Sequence, residues 1–280
     1  MTNPITRRVP LRSAPNLRDL GGLRAAGGVV RTGAVYRSAT LARLEGDDIE
    51  AFLGLGITTV YDLRTVGERS ASPDQLPDGV RLVGLDVLAD STTDVAAGVG
   101  QLASDPAGLA ATLGDGRGVE LMRDSYRNIV SLPSALAAYR AFYLDLIDPA
   151  RRGAALFHCT TGKDRTGWAA ASLLLLLGVN EGDVRADYLE TNTDLLPALQ
   201  PLLAAAAGRG VDTRLLLPVL GVRAEYLDAA IDEARTRFGG IEGYAVEGLG
   251  LDLADLAALR RRLILHDDDA PLSTDERRSW

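Results

Sequence analysis

The chain has 280 residues, 46% of them hydrophobic and 24% charged, a balance that suits a globular protein and excludes a disordered or membrane-spanning one. Its net charge of −8 argues against general nucleic-acid binding. One cysteine and two histidines exclude a disulfide framework and leave too few ligands for a four-coordinate Cys/His zinc site; counting leaves room for a carboxylate-based two-metal site, but no such cluster stands out, and no metal or cofactor is expected.

The N-terminal stretch carries Arg7, Arg8 and Arg12 without an apolar segment behind them, so no cleavable export signal is expected. The longest apolar run, Trp168 to Leu177, is about half of what a membrane span needs. The expected location is the cytoplasm, or the outside by a route without a cleavable signal. Asn16 to Gly22 reads as a glycine-rich loop, and Val29 to Arg31 and Ala34 to Arg37 as short strands. Asp47 to Leu55 fits a helix stopped by glycine. Ile57 to Leu63 is β-branched and mostly apolar, the pattern of a buried parallel strand. Arg64 and Glu68 follow at its carboxyl end, the edge where open α/β sheets bind ligands, and read as a structural ion pair in preference to substrate contacts. Val80 to Leu85 resumes as a strand and ends in Asp86.

From 89 to 118 the pattern is lost apart from a short helix near 107–113, and a mobile insertion is expected. Val119 to Val130 and Pro133 to Ile147 are helical, the second opened by a first-turn proline and closed by Asp148-Pro149. Ala154 to His158 is the expected central strand. Arg165 to Leu177, apolar nearly all round, is a helix for the interior. Helices are then expected at 183–192, at 194–207 with Pro197 and Pro201 interrupting, and at 213–220, 224–238 and 253–265. The tail from His266 to Trp280, with consecutive aspartates and a proline, is expected to be disordered. Strands alternating with helices, then a helical C-terminal third, give an α/β fold. It is a central mostly parallel sheet flanked by helices, in a single domain over residues 1–265.

Between central strand and interior helix lies His158-Cys159-Thr160-Thr161-Gly162-Lys163-Asp164-Arg165-Thr166-Gly167, which holds the only cysteine and the only lysine of the chain. A strand, a tight loop and a helix N-terminus turn backbone N–H groups towards an anion. A phosphate monoester repels nucleophiles, so its cleavage needs a reactive nucleophile, charge-matched clamps and a proton for the leaving oxygen. Cys159 is the candidate nucleophile, since a helix N-terminus and nearby cations favour its thiolate. Arg165 can hold two phosphate oxygens with its planar fork. Thr160, Thr161, Gly162, Lys163 and Asp164 form the arc whose N–H groups ring the phosphate, with Gly162 permitting the tight turn. Thr166 can donate its hydroxyl to the thiolate, and His158 locks the strand–loop junction. A Walker loop does not fit, because Gly162-Lys163 is followed by Asp164 rather than Ser or Thr.

The frame Cys-x5-Arg-Thr, as HCTTGKDRTG, resembles the phosphate loop of the atypical bacterial branch of the cysteine-dependent protein tyrosine phosphatases. Asn16-Leu17-Arg18-Asp19, Tyr36-Arg37-Ser38, Asp62-Leu63-Arg64 with Glu68, Ala186 to Leu189 and Gly221 to Leu227 are also similar to that family. The resemblance implies a metal-free phosphatase working through a cysteinyl-phosphate intermediate. It implies phosphotyrosine, phosphoserine, phosphothreonine and phosphoinositide substrates, with Lys163 and Asp164 linked to that breadth. It also implies a tyrosine-phosphatase-like fold with a helical lid, which would fall at 194–220.

The proton donor stays open. Neither tryptophan, Trp168 or Trp280, precedes a proline, so no Trp-Pro-Asp loop is present. Asp164, inside the loop, is one candidate, although an aspartate there also suits helix capping. Asp86, at a strand end on the same edge, is another, and so is water. Two other functions fit a loop cysteine: a non-catalytic phosphate-recognition module and a rhodanese-like sulfurtransferase.

Overall fold

The computed structural model describes residues 7–91 and 106–266. Its centre is a five-stranded sheet of β1 (Arg18–Asp19), β4 (Val35–Ser38), β7 (Ala154–His158), β5 (Ile57–Asp62) and β6 (Arg81–Gly84), in that spatial order. β4, β7, β5 and β6 run parallel, and only β1 is antiparallel to its neighbour. β2 (Arg24–Ala25) and β3 (Gly28–Val30) form a small antiparallel sheet with β8 (Ile264–His266).

β7 is the middle strand and every one of its residues is buried. Alternation along it sends Ala155 and Phe157 to one face and Ala154 and Leu156 to the other. The first face carries the larger core, where α4 (Arg117–Ser131), α5 (Pro133–Ile147), α6 (Arg165–Leu176), α7 (Glu181–Ala198) and α10 (Ala224–Phe238) contribute Tyr126, Phe142, Trp168, Tyr188 and Tyr226. The second face is covered by α1 (Asp47–Gly54), through Phe52, and by the segment holding Leu11 and Leu17. α6 is buried along almost its whole length, as its all-round apolar sequence demands.

Ser38 and Asp62 both stand opposite His158 in the sheet, so three parallel strands end at one level. The loops leaving those ends share one edge. One of them opens α2 (Val66–Ala71), which the sequence reading left unassigned, through a capping box between Thr65 and Glu68.

Other departures are local. Arg18–Asp19, read as loop, is an edge strand, β2 has too few residues to show a period, and the helix expected over 253–265 stops at Leu263, where Ile264 and Leu265 turn into β8. α7 runs unbroken to Ala198, where a break at 193 was expected. Pro197 falls in its last turn, and Pro201 falls in the first turn of α8 (Gln200–Ala207), where a missing N–H is harmless. A 3₁₀ turn at Thr213–Leu215 and α9 (Leu217–Leu220) replace the single helix read at 213–220. Within the stretch read as a mobile insertion, α3 (Pro106–Leu113) buries Leu109 and Leu113, while residues 92–105 lie outside the described residues. Of the tail, His266 belongs to β8 and the rest lies outside the described residues. No helix among the described residues is long and apolar enough to cross a membrane.

Candidate active site

The loop from Cys159 to Asp164 joins β7 to α6 with its carbonyls tied to the outside. Thr40 N–H donates to Thr160 O at 3.2 Å. Asn16 Nδ2 donates to Gly162 O at 3.0 Å and reaches Thr161 O at 3.4 Å. Arg37, on β4, adds a second bond to Gly162 O at 2.8 Å. A peptide N–H points away from the carbonyl of its own plane, so the N–H groups of Thr161, Gly162 and Lys163 face the loop interior. Gly162 sits at φ +68°, and a Cβ there would lie 2.3 Å from Ser38 O, so the loop presses against β4 as only glycine can.

Cys159 is buried at the start of this ring, and Arg165, at the first position of α6, is buried at its end. Glu68 holds the Arg165 fork with both oxygens, at 2.6 Å from Nη1 and 2.8 Å from Nη2. The Thr160 hydroxyl also donates to Glu68. Burial alone would raise the Glu68 carboxyl, but the bond and charge of Arg165, helped by Thr160 and the Thr65 N–H, bring it down to about 2. Arg165 is likewise held more firmly charged: burial opposes this, and the Glu68 bond and the nearby Cys159 outweigh it. A planar guanidinium has five N–H donors, so a bidentate carboxylate aims the group and leaves donors for a phosphate. The expected Arg64–Glu68 pair is therefore corrected. Arg64 instead binds Asp62 at 2.6 Å and Asp74 at 3.0 Å.

His158 Nε2 lies 3.0 Å from Asp74, and its Nδ1 lies 3.1 Å from Cys159 O, so the ring braces the strand–loop junction. Asp62, Asp74 and His158 lie close enough to suggest a cation site, but the Arg64 guanidinium already serves both carboxylates. Thr166 Oγ1 is buried without a hydrogen-bond partner among the described residues.

Asp164 stands at the N-cap of α6 yet makes no capping bond with its side chain. Its carboxylate turns instead to Lys163 Nζ, 2.9 Å away, and accepts from the Tyr126 hydroxyl at 2.8 Å. Asp86 lies apart. It accepts from Val66 N–H at 2.9 Å and from Leu88 N–H at 3.1 Å, which ties it to the start of α2 rather than to the loop.

Below the loop, Asp187 of α7 gathers three guanidiniums. Arg7 donates at 2.8 Å, and Arg18 and Arg37 each at 3.1 Å. Burial would raise this carboxyl, and Arg18, Arg37 and Arg7 overturn that and hold it well below the usual carboxylate range. Burial, followed by the charge of Arg18, lowers Arg37 to about 10, which still leaves it charged at neutral pH. Sequence reading missed Glu68 as the Arg165 clamp and Asp187 as the hub. The Thr65-x-x-Glu68 capping signature after a strand on the ligand edge was the one visible signal for the first.

Sequence comparisons agree with this geometry. The profile of the tyrosine phosphatase family matches residues 9–265. A candidate tyrosine-protein phosphatase of Cupriavidus necator is 37% identical over 212 residues, covering 75% of this chain and 71% of its own. The triple specificity protein phosphatase PtpB of Mycobacterium tuberculosis is 31% identical over 251 residues, covering 81% of this chain and 89% of its own. A tyrosine-protein phosphatase of Nostoc commune is 28% identical over 241 residues, covering 81% and 72%. A buried thiol at the mouth of a ring of inward N–H groups, closed by a clamped arginine, is thus found on a chain that belongs to the tyrosine phosphatase family.

Proposed function

We propose that this phosphatase hydrolyses phosphotyrosine, and also phosphoserine, phosphothreonine and phosphoinositides, through a cysteinyl-phosphate intermediate at Cys159. The observation that carries the reading is the pairing of Cys159 with an Arg165 fork aimed by Glu68 across a loop whose carbonyls are engaged outside. The thiolate attacks phosphorus while the N–H ring and Arg165 take the equatorial oxygens. Asp164 gives its proton to the leaving oxygen as the P–O bond breaks. Water then attacks the phosphocysteine, Asp164 takes the proton back, and thiolate and inorganic phosphate are released. The Thr166 hydroxyl, buried and without a partner among the described residues, donates to the thiolate during that return. No metal enters any step.

Asp164 is preferred over Asp86 as donor because its carboxylate is free of capping and sits inside the loop, whereas both Asp86 oxygens are used by backbone N–H groups. Asp164→Asn lowers turnover of a poor leaving group by roughly 10²-fold or more, and Asp86→Asn does not. The reverse result moves the role to Asp86. Breadth is assigned to Lys163, whose ammonium can meet a second phosphate on an inositol ring as readily as it meets Asp164. The name of the Mycobacterium relative, a triple specificity phosphatase, supports this breadth.

Turnover of p-nitrophenyl phosphate, lost in Cys159→Ser, tests the reaction; thiosulfate:cyanide transfer without it would overturn the reading. Phosphopeptides and phosphoinositides assayed side by side, with wild type and Lys163→Ala, test the substrate range. A ratio untouched by Lys163→Ala removes that residue from substrate choice.

A further inference from the structure

We propose that Tyr126 and Tyr188 form a buried hydroxyl relay that positions Asp164 for proton transfer, which makes Tyr126 a positioning residue of the reaction; this rests on Asp164 being the proton donor. The relay crosses three elements. Tyr188, on α7, donates to the Tyr126 hydroxyl at 2.6 Å, and Tyr126, on α4, donates to Asp164 Oδ1 at 2.8 Å. Both rings are buried. Tyr126 is held edge-on to Tyr188 at 6.1 Å and tilted to Tyr226 at 5.7 Å, so its hydroxyl has a fixed aim.

The direction of the relay matters. The Tyr126 oxygen accepts from Tyr188, so its own proton is committed to Asp164. Hydrogen bonds in such a chain polarise one another, and the second strengthens the first. Burial first, and the charge of Asp164 next, push both tyrosines well above the ordinary phenol value, so they stay protonated and act as donors throughout. Tyr126 takes Oδ1, while Lys163 Nζ lies 2.9 Å from each oxygen, so the Tyr126 bond is what sets the two oxygens apart and leaves Oδ2 to carry the transferable proton. Once the leaving oxygen has taken that proton, the Tyr126 bond becomes a stronger, charge-assisted one to the new carboxylate. The tyrosine proton itself never leaves its oxygen. Lys163, the other group at this carboxylate, is an ammonium on a flexible stem and cannot by itself fix the orientation.

A proton donor matters most when the leaving oxygen is poor, so the test reads kcat for phenyl phosphate and p-nitrophenyl phosphate. Tyr126→Phe keeps the ring and removes only the hydroxyl. It should lower kcat for phenyl phosphate by roughly tenfold, with little change for p-nitrophenyl phosphate and in KM. Tyr188→Phe should act in the same direction and more weakly, and it carries the test if Tyr126→Phe does not fold. Tyr143→Phe removes a buried hydroxyl that is bonded to Ser172 in the middle of α6 and should change neither rate. Equal slowing on both substrates, or none, in Tyr126→Phe overturns the relay. Asp164→Asn separates the two readings: a leaving-group effect there without one in Tyr126→Phe rejects the relay alone, and its absence in both rejects Asp164 as donor.

Discussion

At the scale of single residues, the proposed phosphate clamp Arg165 is held by Glu68, which then decides how it meets a substrate. Its two oxygens fix the plane of the fork, so Glu68→Gln, which keeps the shape and loses the charge, should lower kcat/KM by roughly tenfold to a hundredfold through misplacement of the clamp. Steady-state kinetics on p-nitrophenyl phosphate checks it. Glu68 also stores pH dependence. Its carboxyl falls from 4.5 to about 2 on folding, so its contribution to stability is complete above the unfolded value and is lost as pH falls through about 2. Denaturant midpoints measured downward from neutral pH should therefore drop less steeply between about 4 and 2 in Glu68→Gln than in wild type. The strand–loop–helix setting of Cys159 and Arg165 was legible because both lie in one short contiguous frame whose strand and helix are themselves strongly patterned. It hid the Glu68 contact because the partner is 97 positions away and only the fold closes that gap. Arg64, four positions before Glu68 in sequence, was the natural wrong guess for its partner.

The loop as an element depends on what presses on it from outside. Gly162 combines a left-handed backbone with a Cβ position already occupied by the Ser38 carbonyl. Gly162→Ala should destabilise the protein by about 1–2 kcal/mol from the backbone alone, with the clash added to that. It should also lose vanadate binding, since the amide ring must open to relieve the contact; urea denaturation and vanadate inhibition read the two effects. The long strands and helices of this layer were visible in the sequence because their periods extend over many residues. β1, β2 and β8 were not, since they are fragments whose identity is conferred by the strands they border. The helices from 194 to 220, proposed as the lid, bury Leu195, Leu203 and Leu216 and leave Leu202 and Leu217 exposed. If they cover the pocket, vanadate should slow proteolysis within this stretch; equal cleavage with and without it would remove the lid.

For the molecule as a whole, the Asp187 hub carries a consequence for how the enzyme comes into being. Arg7, Arg18 and Arg37 reach it across 180, 169 and 150 positions of sequence. Contacts of such long range form slowly, because the chain must close large loops before they stabilise anything. Arg37 is also the residue that grips the Gly162 carbonyl. A nascent chain emerging from the ribosome can therefore hold every residue of HCTTGKDRTG and still lack a finished anion cradle until residue 187 has been made and docked. Enzymatic competence becomes a late folding event, and regain of turnover after dilution from urea should lag behind the regain of helical circular dichroism.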